Sequence, residues 1–342
     1  MPDSHQHARL KQPLIDTFGR DVTYLRLSVT DRCDLRCTYC MAEDMTFLPK
    51  RDVLSLEELY ALSKAFMERG VRRIRLTGGE PLVRKGILWL VEALGRDISR
   101  GHLDEVTLTT NGTQLPHMAA ELYAAGVRRI NVSLDTLDPD LFEKISRRNR
   151  LDRVLEGIRA AQSAGLHVKI NAVALKGLNA TEIPAVFDWC QREGLDLTLI
   201  ETMPLGDIDG AREDHYLPLT ELLPTLEARH RLQPSRYTTG GPARYFDVEG
   251  SQSRLGLITP LTGNFCDGCN RVRVTCTGRI YMCLGQDDHV DLREALRSEN
   301  PEAALDKALG TAMGRKPKGH DFAVEAGTMV GKVGRHMSQT GG

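Results

Sequence analysis

Three closely spaced cysteines carry the most specific chemistry in this sequence. Cys33, Cys37 and Cys40 have the spacing C-x3-C-x2-C and follow a strand-like run, Val22–Val29. A disulfide framework would need an even set spread over distant loops, and a four-cysteine zinc site normally pairs two C-x2-C knuckles. Thiolates are the usual ligands of iron–sulfur clusters, and a four-iron cluster ordinarily takes four. Three thiolates would leave one iron open to a small molecule; the alternative is a chance group of structural cysteines.

This motif, with Tyr39 before its last cysteine, resembles the signature of the radical S-adenosylmethionine superfamily. The resemblance implies that the open iron binds S-adenosylmethionine, whose cleavage releases a 5′-deoxyadenosyl radical. The cofactors then carry the chemistry, and the protein supplies positioning, electrostatics and exclusion of water. The turn Gly78-Gly79-Glu80-Pro81 resembles the superfamily's GGEP element, which contacts the amino group of S-adenosylmethionine.

Composition limits the class of protein. The chain has 342 residues, 41% of them hydrophobic and 27% charged, with a net charge of −1. These values are typical of a globular protein and argue against a nucleic-acid or membrane partner. No run approaches the roughly 18 apolar residues of a membrane span, and the first twenty residues lack an apolar signal core. Eight cysteines without a disulfide-like framework fit the reducing cytoplasm, so we expect a cytoplasmic protein.

Short β-branched runs alternate with helical runs from residue 22 to residue 201. Ser55 and Glu58 have the spacing of a capping box at the start of one helical run, and another run extends from Pro139 to Ala164. The predicted strands are Val22–Val29, Arg72–Thr77, Glu105–Thr110, Val127–Leu134, His167–Ala174 and Leu195–Glu201. Six successive βα units indicate a parallel sheet, either doubly wound or a barrel. We predict an α/β fold: a partial (β/α)6 TIM-like barrel at residues 21–225. A mobile N-terminal arm (1–20) precedes it, and a C-terminal extension (226–342) carries a second iron–sulfur cluster and a Gly-Gly tail.

Several predicted strands are polar on one face, which a barrel interior normally fills with Val, Ile and Leu. The alternating polar positions are Tyr24, Arg26, Ser28, Arg73, Arg75, Thr77, Asn131, Ser133, His167, Lys169 and Asn171. An interior cation is costly unless an anion or a water-filled cavity meets it. Pairing with acids such as Asp135 or Glu201 would explain a single cation. Three strands with the same pattern favour an anionic ligand, and Arg suits phosphate especially.

A second cysteine group lies near residue 270. Cys266, Cys269, Cys276 and Cys283 have the spacing C-x2-C-x6-C-x6-C, which by itself could form a four-cysteine zinc module. With Asn270-Arg271-Val272-Arg273 after Cys269, the segment resembles one family of the superfamily, the GTP 3′,8-cyclases of molybdenum cofactor biosynthesis. In that family the pattern C-x2-C-x13-C holds a second four-iron cluster facing the substrate. The resemblance leaves Cys276 and Cys190 as structural residues.

The resemblance extends from Tyr24 to Gly342 and assigns site residues by position. The two clusters would be held by Cys33, Cys37 and Cys40, and by Cys266, Cys269 and Cys283. S-adenosylmethionine would contact Tyr39, Gly79, Ser133 and Met203. GTP would contact Arg26, Arg75, Thr109, Lys169, Arg271, Val272 and Arg273. The tail, Gly341-Gly342, would enter the active site. Thr198 stands where the family often has Arg, so a cation that the family often has is missing at this position.

The resemblance implies an enzyme that uses two four-iron clusters and S-adenosylmethionine to convert GTP to its 3′,8-cyclised nucleotide. It also implies a homodimer, an electron donor and, as pathway partner, the downstream cyclic pyranopterin monophosphate synthase. Two alternatives are a radical enzyme that acts on a peptide and a non-catalytic zinc or iron–sulfur scaffold. The interior cations favour a phosphorylated substrate over a peptide. A scaffold leaves the GGEP element unexplained.

Overall fold

The computed structural model describes residues 11–206, 212–263, 265–325, 328–331 and 333–341. Its main feature is a sheet of twelve strands, which runs in the order β12-β11-β10-β1-β2-β3-β4-β5-β6-β9-β8-β7. The strands are β1 (Tyr24–Ser28), β2 (Arg73–Thr77), β3 (Glu105–Thr110), β4 (Arg129–Ser133), β5 (His167–Ala174), β6 (Asp196–Glu201), β7 (Leu232–Pro234), β8 (Arg244–Val248), β9 (Arg254–Ile258), β10 (Arg271–Val274), β11 (Arg279–Tyr281) and β12 (His289–Asp291). A separate hairpin joins β13 (Ala323–Glu325) to β14 (Thr328–Val330).

Helices connect the parallel strands as the hydrophobic pattern predicts. Those between β1 and β6 are α1 (Leu56–Met67), α2 (Ile87–Ser99), α3 (Leu115–Ala124), α4 (Pro139–Ser146), α5 (Leu151–Ser163) and α6 (Ile183–Glu193). Four more helices follow β6: α7 (Leu219–Glu227), α8 (Leu292–Leu296), α9 (Pro301–Arg315) and α10 (Met337–Thr340). The predicted capping box of Ser55 and Glu58 at the start of α1 is confirmed. The helical run from Pro139 to Ala164 is two helices, because Arg147 takes a left-handed conformation after α4. In the described ranges, no helix is long and apolar enough to cross a membrane.

The sheet has an apolar face and a polar face. Strands β1 to β6 are parallel neighbours in chain order, and β10 and β9 add to them in parallel at either side. Leu25, Leu27, Ile74 and Leu76 are fully buried in one hydrophobic cluster, together with apolar residues of the connecting helices. The side chains that alternate with these apolar residues point to the other face of the sheet. They include Arg26 and its register neighbours Arg75 and Arg273. Strand alternation therefore confirms the predicted segregation of polar residues.

The segments outside the βα units are tied to the sheet. Arg20, within the predicted N-terminal arm, binds Asp16 and the carbonyl oxygens of Cys266, Pro317 and Lys318. The predicted domain boundary at residue 225 falls inside α7. Residues 1–10 lie outside the described ranges, so the mobility of the arm and the division into domains stay predictions.

Two helical glycines provide a test of how tightly the outer helices pack. A Cβ atom on Gly95 in α2 would overlap the carbonyl oxygen of Ala125, whereas a Cβ on the exposed Gly310 in α9 would meet nothing within 4 Å. We expect Gly95→Ala to lower the free energy of unfolding by roughly 1–3 kcal/mol through overpacking. Gly310→Ala should raise it by about 0.5–1 kcal/mol, because alanine favours the helix. Denaturant titration of both variants checks this, and equal effects would contradict it.

Candidate active site

The first cysteine trio lies on the loop after β1. Cys33, Cys37 and Cys40 are not in disulfides, and the amide of Cys40 donates to the carbonyl of Cys37. Burial raises the pKa of Cys33 to about 12, and burial also raises the pKa of Cys37 well above its usual value. Neutral thiols are therefore favoured unless a positive group joins them. The donor set fits an iron cluster, which supplies that positive charge and prefers thiolate ligands.

Neighbouring strand ends hold this loop in place. The carboxylate of Asp34 accepts hydrogen bonds from the Asn111 amide at 2.7 Å and the Thr113 hydroxyl at 2.6 Å. The same amide of Asn111 lies 3.7 Å from the sulfur of Cys33. Asn111 and Thr113 both follow β3, so the end of β3 positions the cysteine loop that follows β1. Sequence reasoning missed this contact, because nothing local links Asn111 to Cys33.

The glycine turn after β2 packs against the same loop. The amide of Gly79 donates to the carbonyl of Thr30 at 2.8 Å, and a Cβ at Gly79 would overlap the Arg32 carbonyl. Glu80 is buried and accepts from the Leu82 amide, the Asn111 amide and the Thr110 hydroxyl. Burial raises the pKa of Glu80 to about 7 despite these donors. The turn thus anchors the strand ends instead of offering Glu80 to a ligand.

A cavity of about 510 Å³ opens at the carboxyl ends of the strands. The three cysteines line it, as do all four residues expected to contact S-adenosylmethionine: Tyr39, Gly79, Ser133 and Met203. Thr109 and Met337 also line it. The hydroxyl of Tyr39 bonds Asp135 at 2.8 Å, and burial raises the pKa of Asp135 to about 6. The structure therefore brings these predicted residues together around one cavity.

Three arginines lie side by side on the polar face. In strand register, Arg273 of β10 is opposite Arg26 of β1, and Arg26 is opposite Arg75 of β2. Each is less than 10% exposed. Burial lowers the pKa of Arg26 well below its usual value, and the charges of Arg273 and Arg75 lower it further. Burial and the charge of Arg271 likewise lower the pKa of Arg273 to about 10. This arrangement, here called the arginine row, concentrates positive charge inside the protein.

The acids proposed as internal partners serve other groups. Asp135 accepts hydrogen bonds from Tyr39 and from the Val173 amide, and Glu201 accepts from Leu219, Leu261 and Thr262. The buried Nε atoms of Arg75, Arg271 and Arg273 have no hydrogen-bond partner among the described residues. Pairing with Asp135 or Glu201 is therefore wrong as an explanation of these interior cations. The arginine row lies outside the lining of the cavity, farther along the same strands.

Lys169 and Thr198 extend the polar face beyond the arginine row. The ammonium of Lys169 donates to the Tyr245 hydroxyl at 2.9 Å, and burial lowers the Lys169 pKa well below its usual value, with a further effect from Arg75. Thr198 of β6 pairs with Gly256 of β9. A Cβ atom built on Gly256 would lie 3.0 Å from the ring of Tyr245. The aromatic ring therefore lies beside Thr198, where the family often has Arg. Sequence reasoning missed Tyr245, which follows the last of the predicted βα units.

The second cysteine group lies beside the amino end of β10. The amide of Cys269 bonds the carbonyl of Cys266, and both residues influence the acidity of Cys283. Burial raises the pKa of Cys266 and of Cys283. Burial by itself would also raise the pKa of Cys269. The positive charges of Lys316 and Arg271 outweigh the effect of burial, so the pKa of Cys269 is lowered. These three buried or half-buried thiols form a donor set that fits an iron cluster.

The other cysteines lie elsewhere. Cys276 is buried near Asp31, and its carbonyl accepts a bond from Leu54; Cys190 is buried in the core. In the described part of the chain, no three His, Cys, Asp or Glu side chains converge on a point suited to one metal ion. A four-iron cluster makes a different demand, because each thiolate binds a different iron. Val272 packs its side chain into the core, so only its backbone faces the neighbouring strands.

The C-terminal segment enters the same region. Val333 pairs with Leu205, and the Gly206 amide donates to the Val333 carbonyl at 2.7 Å. Gly341 is buried with a φ of 72°, and a Cβ there would overlap the side chain of Thr77 at the end of β2. Gly342 lies outside the described residues. The segment before it therefore reaches the strand ends at the cavity.

Comparison with known proteins identifies the family. A model of the radical SAM superfamily matches residues 27–190, and a model named Molybdenum Cofactor Synthesis C matches residues 195–322. The chain is 62% identical over 330 residues to a GTP 3′,8-cyclase of Rhizobium meliloti (strain 1021), covering 96% of this chain and 95% of the relative. It is 59% identical over 331 residues to one from Brucella canis (strain ATCC 23365 / NCTC 10854 / RM-666), covering 97% and 96%.

A solved structure supports the fold. Streptococcus suis SuiB bound to S-adenosylmethionine superposes with a TM-score of 0.58 at 17% identity, over 85% of this chain and 67% of that chain. At this identity the likeness concerns the fold alone. The high identity to the cyclases over nearly the full chain is more specific. The chain belongs to the GTP 3′,8-cyclase family of the radical S-adenosylmethionine superfamily.

Proposed function

We propose that this chain converts GTP to (8S)-3′,8-cyclo-7,8-dihydroguanosine 5′-triphosphate, the first step of molybdenum cofactor biosynthesis. The observation that carries the proposal is the buried arginine row, which continues through Arg271 to the second cysteine group. The buried Nε atoms of Arg75 and Arg273 have no hydrogen-bond partner among the described residues, and a triphosphate would supply acceptors for them, because guanidinium groups bind phosphate oxygens in pairs. A neutral peptide substrate would bring no negative charge to these two arginines, which disfavours the peptide alternative.

The residues proposed to hold the cofactors fall into two sets. Cys33, Cys37 and Cys40 would hold one four-iron cluster, with S-adenosylmethionine against Tyr39, Gly79, Ser133 and Met203. Cys266, Cys269 and Cys283 would hold a second four-iron cluster. When bound, the first cluster and S-adenosylmethionine supply the radical that removes hydrogen from the ribose C3′ of GTP, so that C3′ then joins C8 of guanine. The three cysteines and the close-packed glycine turn support this assignment.

The chain's own residues position the substrate and exclude water. Arg26, Arg75, Arg271 and Arg273 would bind the triphosphate, with Lys169, Thr109 and the backbone of Val272 completing the contacts. The Tyr245 hydroxyl orients the ammonium of Lys169. Fixing the ribose and the base in one geometry favours the ring closure over other reactions of the sugar radical. The C-terminal segment would close the pocket against bulk water.

We further propose that the sheet curves into a partial (β/α)6 barrel. Residues after β1 and after β6 line one cavity, and the charge of Arg75 on β2 acts on Lys169 on β5. Both observations support a concave polar face. A homodimer, an electron donor and the downstream synthase as partner remain predictions from the family. The cytoplasmic location is also proposed, and it is supported by the eight cysteines, which form no disulfide with one another.

The direct test is turnover. Anaerobically reconstituted protein is incubated with GTP, S-adenosylmethionine and a low-potential reductant, and the products are analysed by mass spectrometry. We expect 5′-deoxyadenosine together with a cyclised nucleotide of the same mass as GTP but a different retention time. Cleavage of S-adenosylmethionine with a peptide substrate, and no product from GTP, would contradict the proposal.

Removal of one cation tests the arginine row. Arg75→Ala deletes a buried charge-assisted contact, which we expect to cost roughly 1.5–3 kcal/mol of GTP binding, about tenfold to a hundredfold in Kd. Arg72→Ala is the matched control, because Arg72 directly precedes β2 and its side chain, which is 41% exposed, pairs with Asp104. Equilibrium binding with and without S-adenosylmethionine measures the effect. Folding should be intact, since the substitution relieves repulsion; unchanged GTP affinity would mean that Arg75 is structural.

The tail has its own prediction. Deletion of Gly341 and Gly342, or Gly341→Ala, should leave cluster content and GTP affinity nearly unchanged while abolishing the cyclised product. S-adenosylmethionine cleavage should continue, uncoupled from cyclisation. Gly334→Ala is the control, because a Cβ there would meet nothing within 4 Å. Product formation at the full rate in the truncated protein would show that these glycines have no role in the reaction.

A further inference from the structure

A buried lysine outside the predicted site contacts the second cysteine group. Lys316 follows α9 and is only 3% exposed. Its ammonium lies 3.5 Å from the sulfur of Cys269 and 3.1 Å from the carbonyl oxygen of Met282, the residue before Cys283. One cation therefore touches the immediate surroundings of two of the three cysteines.

No carboxylate of the described residues pairs with the Lys316 ammonium. Within the described ranges its hydrogen-bond partners are the sulfur of Cys269 and one backbone carbonyl. A buried ammonium without an anion is costly, whereas an ammonium against a thiolate forms a charge-assisted contact. The geometry therefore favours a negatively charged group at Cys269.

The position of Lys316 is fixed by the same contacts that fix Cys266. The guanidinium of Arg20 donates to the carbonyls of Cys266 at 2.7 Å, Pro317 at 2.6 Å and Lys318 at 2.7 Å. Asp16 in turn holds Arg20 at 2.6 Å. Arg20 thus clamps the segment after α9 to the cysteine loop, which makes the approach of Lys316 to Cys269 a built feature of the site.

We propose that Lys316 is the charge-compensating positioning residue of the second iron–sulfur site. This inference rests on the proposed second cluster. A cluster held by three thiolates gains one negative charge when a low-potential donor adds an electron, and no bond or proton changes. A cation at a ligand sulfur stabilises the reduced form more than the oxidised form, so Lys316 raises the reduction potential of that cluster. It also slows the loss of iron, because it stabilises the Cys269 thiolate.

Three substitutions separate charge from shape. Lys316→Met removes the charge and both contacts, Lys316→Gln removes the charge but keeps a donor, and Lys316→Arg keeps the charge. Lys318→Met is the matched control, since Lys318 is an exposed lysine two residues away. All are made in the full chain with Cys33, Cys37 and Cys40 replaced by Ser, so that only the second cluster is observed. The readouts are an anaerobic potentiometric titration followed by electron paramagnetic resonance and the rate of iron loss to a chelator.

We expect the midpoint potential to fall in Lys316→Met and Lys316→Gln by about 59 mV, a tenfold change in the reduction equilibrium. Iron loss should be several-fold faster in both. Lys316→Arg and Lys318→Met should match the parent. If Lys316→Met does not fold, the contrast between Lys316→Gln and Lys316→Arg decides.

Two results would overturn the inference. One is a potential and an iron-loss rate in Lys316→Gln equal to those of the parent. The other is equal loss of second-site iron in all three Lys316 variants, which would make its shape rather than its charge essential. A failure of the proposed second cluster can be told apart from a failure of the Lys316 inference, because the former would already appear in protein with Lys316 intact. Wild-type protein should hold about eight irons and Cys283→Ser about four; a wild type with about four irons, or with zinc at this site, contradicts the second cluster itself.

Discussion

Repulsion among the buried arginines is the constraint on which the rest of the structure depends. Arg273, Arg26 and Arg75 are register neighbours on adjacent strands. Burial lowers the pKa of Arg26, and the charges of Arg273 and Arg75 lower it further, so each neighbouring guanidinium disfavours the charge of Arg26. Whole domains are stable by only about 5–15 kcal/mol, so even a modest repulsion inside the protein matters to the stability. The helix-covered apolar face of the sheet must offset this repulsion, and an anionic ligand relieves it.

The same strand pairing explains why two distant cysteine groups can serve one reaction. β10 is added in parallel beside β1, which places the residues after Cys269 next to the strand that leads into Cys33. The arginine row therefore lies between the first and the second cysteine group. The charges of Lys316 and Arg271, with a smaller effect of Arg273, lower the pKa of Cys269. Positive side chains of this region therefore act on the second cysteine group and would also favour a phosphorylated ligand.

The C-terminal segment connects the same parts from the other side. Arg335 is buried and donates to the carbonyls of Leu284 and Gln286, which follow Cys283, and to the carboxylate of Asp287. Val333 pairs beside Leu205, close to Met203 of the cavity wall. The position of the chain's end therefore depends on the loop of the second cysteine group and on the loop after β6. Val333 packs there with Leu205 and Phe322 in a small apolar cluster that is separate from the main core.

Local pattern determined much of this protein. The alternation at Tyr24, Arg26 and Ser28 predicted a polar face, the capping box at Ser55 predicted α1, and the cysteine spacings predicted two donor sets; each depends on neighbours in sequence. Tertiary structure alone decided the contacts of Asn111 with Cys33, Tyr245 with Lys169, and Lys316 with Cys269. These pairs join residues far apart in the chain, and their energies depend on burial and distance, which no local periodicity encodes. Pairing of β10 with β1 also had no local signal, because a four-residue strand after a loop can join either edge of a parallel sheet.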